Sequence, residues 1–376
     1  MKNTLVLFLA GVLLVLLVSA SCSLGKRGKS EMERMQTSLK DHGIDRFVFT
    51  NEQENTMLVV PAFGGRIIAA SIGRENLFWT HPDVLKGQGG QRSWISPEGG
   101  PKGFLFKPDW SGSRNYSMMD PGNYSVVLHE ENSRLVLENT FQVTSNDGLE
   151  EYDLTLKRDI RSLADPLQKK SEEGNLSYQY LGIDFMHQLR NNSSRPIEKL
   201  LALWCLIQVP PKGTMIVPVK TVEDGAWRGN YFEPTPAEYA AVNIDSYSFF
   251  LHGSQRYKIG FPPRSIEGVI CYLRKGAGSG SSLIIMTFPF KSDAFYPDRP
   301  KEEKDSNGDA IQIYSHLEEG DRAFGELECH SWALDLPPGT EEAFPIKIMM
   351  YKASLKVLQK IGEELVCEGF ASARLF

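Results

Sequence analysis

Arg92, Trp94, Ser96 and Glu98 recur at every second position of GGQRSWISPEGG, residues 89–100. If 91–98 is extended, alternation puts a cation, an indole, a hydroxyl and a carboxylate on one face. An indole offers a flat apolar surface, while Arg and Glu make charge-assisted hydrogen bonds to hydroxyls. The row therefore suits a wall for a polyhydroxylated ligand. Glycine pairs at 89–90 and 99–100 let the backbone bend, or be approached closely, at both ends. The competing reading is an edge strand whose polar face meets water.

A second row lies late in the chain, where Glu326, Glu328, His330 and Trp332 alternate with Leu327, Cys329 and Ser331. Two carboxylates beside an imidazole shift one another's pKa and can serve as acid and base, unless the face is simply solvated. His187 shares its strand face with Ile183, Phe185 and Leu189, so it is either a further acid or a core histidine. Lys258 stands in an apolar run, where its ammonium must meet a carboxylate, a ligand or water. Tyr296 and Asp298 share a loop. The catalytic candidates are thus Glu326, Glu328, His330 and His187, and the ligand-binding candidates Arg92, Trp94, Glu98, Lys258, Tyr296 and Asp298. No clustered Cys/His spacing offers a metal site, and the acidic turn 305–309 lacks the later glutamate of a calcium loop. No metal or cofactor is expected.

Holding such rows takes strands. Residues 30–39 read as a short helix, with Ser30 and Glu33 as a capping box and Met32, Met35 and Leu39 on one face. From Phe47 onward, short apolar or alternating runs are separated by Gly, Asn and Pro, the pattern of antiparallel strands. They include 66–72, 134–144, 177–191, 200–209, 258–261, 310–315, 324–334 and 343–351. Residues 163–174 are charged and strand-poor, which predicts a loop or one short helix. Leu355, Leu358, Ile361 and Leu365 predict an amphipathic C-terminal helix. The prediction is an all-β sandwich of many antiparallel strands over 46–352, preceded by a linker and short helix at 23–45 and followed by the helix at 353–376.

The 376 residues carry a net charge of −6 and no basic stripe interleaved with aromatics, which argues against a nucleic-acid partner. Lys2, the apolar run 5–18 and the small residues at 19–22 read as a secretory leader over 1–22. A lipid-modified Cys22 is the favoured reading, although Ser19 stands where a lipoprotein box prefers Leu. Cleavage after Ser21 and a retained anchor are the alternatives. The protein is then exported, in the periplasm or held to the outer membrane through Cys22. Cys205, Cys271 and Cys329 lie in apolar or alternating strand-like runs and read as buried thiols.

GGQRSWISPEGG, FLFKPD (104–109), NGDAIQIYSH (307–316) and ELECHSWALDLPPG (326–339) resemble a family of bacterial exported proteins. That family is defined by a domain of unknown function and related to the galactose mutarotase-like superfamily. PAFGGRIIAASIGRENLFW (61–79) is similar to the opening hairpin of aldose 1-epimerases. The resemblance covers about 47–351. It implies a galactose mutarotase-like supersandwich, a carbohydrate-sized cleft on one concave face, and a carbohydrate partner. Mutarotases open the sugar ring with an acid and a base on opposite sides of a pocket, typically His and Glu. Glu326 and Glu328 match the family's late Glu-Leu-Glu. His187 is the mid-chain candidate, but the His-x-Tyr-Phe-Asn string that carries the acid in epimerases is absent. Epimerase-like acid/base chemistry and non-catalytic glycan binding both remain open, with a ligand-free structural envelope protein as a third reading. Either sugar reading expects the two rows to face each other over a gap the size of a monosaccharide.

Overall fold

The computed structural model describes residues 29–107, 117–223, 225–276, 280–301, 303, 306–318 and 320–376. The leader and Cys22 lie outside the described residues, as do the last two residues of FLFKPD and Asp305 of the acidic turn.

Among the described residues the strands form two large antiparallel sheets. The first runs Phe47–Thr50, Thr56–Val60, Arg66–Ile72, Gln91–Ser96, Ala202–Val209, Phe324–His330, Ile311–His316, Tyr257–Phe261, with Glu75–Asn76 added onto Arg66–Ile72. The second runs Ala240–Val242, Ser246–Leu251, Gly213–Pro218, Val269–Arg274, Ser281–Thr287, Glu341–Ala353, Gln179–Asn191, Glu151–Ser162, Arg134–Thr144, Ser125–Glu130. This is the many-stranded all-β sandwich that the alternating runs predict.

The inner faces meet in one large apolar core, because period-two alternation turns Ile95, Leu203, Ile207, Leu327, Ile313 and Ile259 inward against Phe185, Ile183 and Ile348. The outer faces are covered separately. The C-terminal helix Leu355–Leu365 buries Leu358 and Ile361 on the second sheet with Cys271, Leu283 and Ile285. The N-terminal helix Glu31–Asp41, closed by the Ser30/Glu33 capping box, buries Met32, Met35 and Leu39 on one end of the first sheet with Leu58 and Ile68. The rest of the first sheet's outer face carries the polar rows.

Some boundaries differ from the sequence pattern. The strand at 91 ends at Ser96, where the Ser96–Pro97 peptide is cis and the chain turns away before Glu98. The late strand stops at His330, so Trp332 leaves its face. The segment 163–174 contains one short helix, Gln168–Glu172. Cys205, Cys271 and Cys329 are buried free thiols.

Candidate functional site

Register across five strands of the first sheet assembles the cluster. Trp204 lies opposite Trp94 on one side and His330 on the other, and Leu206 lies between Arg92 and Glu328 in the same way. Glu326 pairs with Gln208 and Tyr314, Glu328 with Gln312, and Lys258 with Tyr314. These positions share a face by alternation. It is the outer one, since Ser93, of opposite parity to Arg92, touches His187 of the second sheet.

The charges pair directly. Arg92 Nη2 lies 2.8 Å from Glu326 Oε1, which also accepts from Gln208 Nε2 at 2.7 Å. The Arg92 guanidinium stacks on Trp94 at 4.2 Å, a cation–π contact. Trp94 Nε1 donates to Asp120 Oδ2 at 2.7 Å, and Asp120 is held in turn by Arg66. Lys258 Nζ sits 3.2 Å from Glu98 Oε1 and 3.3 Å from Glu328 Oε2, with the Trp204 ring 5.0 Å away. Glu98 reaches Lys258 from the loop after the strand, where its backbone N–H donates to Asp298 Oδ1 at 3.2 Å.

Gln312 organises the far side. Its Nε2 donates to Asp298 Oδ2 and to the Tyr231 hydroxyl, both at 2.7 Å. Its Oε1 is thereby left to accept from His330 Nε2 at 3.1 Å. His330 Nδ1 then faces the Ser96 hydroxyl at 3.3 Å as an acceptor, and the imidazole stacks on Trp204 at 5.4 Å. Tyr231 donates to Asp309 Oδ2 at 2.5 Å, and Asp309 also pairs with Arg228.

Lys258, Glu98, Glu328, His330 and Gln312 are all buried. Burial pushes the carboxyls of Glu98 and Glu328 up, to about 7 and about 8, with Lys258 opposing the shift. Burial also opposes the Lys258 charge, but Glu328 and Glu98 outweigh it and raise its pKa. These directions agree once the charges are counted, for one ammonium is shared by two carboxyls that also repel each other. The lysine is held in its charged form, and both carboxyls are held up toward neutrality. Burial, reinforced by Lys258, holds His330 well below the usual imidazole range, so it is neutral. Among the described residues, Glu328 Oε1, Trp204 Nε1 and Gln208 Oε1 have no hydrogen-bond partner although buried. The face thus combines two raised carboxyls on one ammonium, a neutral imidazole, two indoles and unmet hydrogen-bonding capacity, the parts that proton exchange with a hydroxylated ligand needs.

Eight of the ten candidates from the sequence converge: Arg92, Trp94, Glu98, Lys258, Asp298, Glu326, Glu328 and His330. The two rows do not face each other over a gap. They lie in one sheet, separated by the single strand Ala202–Val209, and touch directly through Arg92 and Glu326. His187 stands apart, buried between the sheets on Phe185 and Ser93, because its strand turns that parity toward the core. Tyr296 is also core; its hydroxyl accepts from the Lys291 N–H at 3.1 Å and anchors the loop that carries Asp298. Sequence reasoning missed Gln208, Gln312, Tyr231, Asp309 and Asp120. Only the two glutamines left a signal, Gln208 as the lone polar residue of an apolar strand and Gln312 as an amide between two isoleucines. Among the described residues no grouping of His, Cys, Asp and Glu is suited to a metal ion.

A profile described as a family of unknown function, DUF6786, matches residues 32–368. Of solved structures, a candidate aldose 1-epimerase from Escherichia coli K12 is similar to the chain. It superposes with a TM-score of 0.54 at 12% identity, over 82% of this chain and 99% of that one. A candidate aldose 1-epimerase from Klebsiella pneumoniae gives 0.50 at 11% identity, over 82% of this chain and 80% of that one. At these identities the likeness establishes the galactose mutarotase-like fold alone. No curated protein matches the chain.

Proposed function

We propose, from the premise that the chain belongs to the DUF6786 family of unknown function, that it handles a sugar at the outer-face cluster by acid/base chemistry. The observation that carries this reading is the buried Lys258 shared by Glu98 and Glu328, two carboxyls that burial raises, beside the Trp94 and Trp204 indoles. In ring opening, one carboxyl, protonated, would give its proton to the ring oxygen while the other, ionised, takes the anomeric hydroxyl proton. Lys258 keeps the pair at one negative charge throughout. Arg92, stacked on Trp94 and tied to Glu326, would orient hydroxyls. The fold shared with candidate aldose 1-epimerases supports the sugar class.

Saturation-transfer NMR over a panel of free aldoses tests it. At least one aldose is expected to show faster anomeric exchange with the protein, and Glu328→Gln to abolish the gain. Absence of exchange for every aldose would refute the catalytic step. The second reading is glycan binding without turnover, favoured by the close pairing of Arg92, Glu326 and Gln208. It is distinguished by binding that survives Glu328→Gln and is lost with Trp94→Ala.

The cell-envelope location rests on the leader at 1–22, with Cys22 as the lipid-bearing residue. Metabolic lipid labelling that persists in Cys22→Ser would refute the anchor.

A further inference from the structure

A cavity of about 470 Å³ opens beside the cluster, walled by Phe295 and Trp332 and rimmed by Lys291, Asp293, Asn307 and Asp335. Its size lies in the range of small-ligand pockets, and its lining of two half-buried aromatics with a few polar groups is the composition such pockets favour. The Lys291 ammonium rests 3.7 Å from the centroid of the Trp332 ring. Lys291 is exposed and on a flexible stem, so about 0.5–1 kcal/mol holds it there and a sugar ring can replace it.

The cavity and the cluster are lined by different residues of the same two segments. Trp332 follows His330 by two residues, a reach of at most about 7 Å, and Asp298 follows Phe295 by three, at most about 11 Å. The Ala333 N–H donates to the Phe295 carbonyl at 2.8 Å and locks the two segments together. Asp298 then holds Gln312 and the Glu98 N–H within the cluster. The lining also includes Lys199 and Glu342, so its cations do not outnumber its carboxylates, and nothing in it favours an acidic sugar.

We propose that this cavity is a second subsite, taking an uncharged sugar ring of an oligosaccharide whose neighbouring ring reaches the Glu98–Glu328 cluster. The inference rests on the sugar-handling reading and adds that the ligand spans more than one ring. The ring in the cavity stacks on Trp332 and hydrogen-bonds to Asn307 and Asp293.

Isothermal titration of the intact chain with neutral monosaccharides and with their linear oligomers of two to four rings tests this. Affinity is expected to rise about tenfold from one ring to the longer oligomers. Trp332→Ala should remove that gain and leave monosaccharide binding within about twofold. Asn307→Ala and Asp293→Ala, at the rim, should each reduce the gain without disturbing the core, which covers the case in which Trp332→Ala does not fold. A monosaccharide that binds with no gain on lengthening, or a gain indifferent to these variants, overturns the subsite and spares the cluster. If no saccharide of any length binds, the reading of the cluster and the subsite fall together.

Discussion

Lys258 Nζ lies 3.2 Å from Glu98 Oε1, joining side chains 160 residues apart in the chain, and Glu328 approaches the same ammonium from a neighbouring strand. One cation thus neutralises part of two buried acids. Removing a single partner from a buried charge group costs about 3–5 kcal/mol, because the remaining charge is stranded. Lys258→Met is expected to lose stability of that order in urea unfolding. Glu328→Gln should lose clearly less, since Glu98 keeps the lysine paired. Equal losses would mean that the lysine is not shared.

The raised carboxyl of Glu328 fixes the sign of a pH effect. Its folded pKa of about 8 exceeds the ordinary 4.5, so between those values the native state binds a proton that the unfolded chain has released. This contribution is complete below about 4.5 and is lost as pH rises through about 8. His330 and His187, depressed by burial, act oppositely: their contribution is present above 6.5 and is lost as pH falls below it. In thermal melts from about pH 5 to 8, Glu328→Gln should therefore lose less stability with rising pH than the wild type. Parallel curves would place the titration elsewhere.

His187 touches Ser93 and Phe185 inside the sandwich, so its role is in packing. His187→Ala is expected to cost about 1–3 kcal/mol of stability and to leave sugar affinity unchanged. A folded variant with impaired binding would bring His187 back into the site.

Gly260 admits the Tyr231 ring to the cluster. A Cβ there would overlap Asp309 Oδ2 and stand 2.9 Å from Tyr231 Cε2. Tyr231 must then shift from Gln312, which holds His330 in its Nε2–H tautomer. Gly260→Ala should lose about 1–3 kcal/mol and broaden the His330 imidazole signals in NMR. An unshifted His330 resonance would show that the Tyr231–Gln312 link does not hold the ring.

Local periodicity already determines which side chains keep company on a strand. Glu326, Glu328 and His330 share a face because alternation is a property of the backbone, and so do Arg92 and Trp94. The capping box at Ser30 and the apolar stripe of the C-terminal helix are local for the same reason, as was the all-β character. Sheet order is not local. Whether the two rows would face each other or lie side by side rested on Ala202–Val209 pairing with both, and only the folded chain decided that Arg92 meets Glu326 across 234 residues. Glu98 escaped the alternation rule because its strand stops at Ser96, and its contact with Lys258 is made by a loop. The raised carboxyls were decided the same way, since they follow from burial and from the charges gathered around one ammonium, which no stretch of sequence contains by itself.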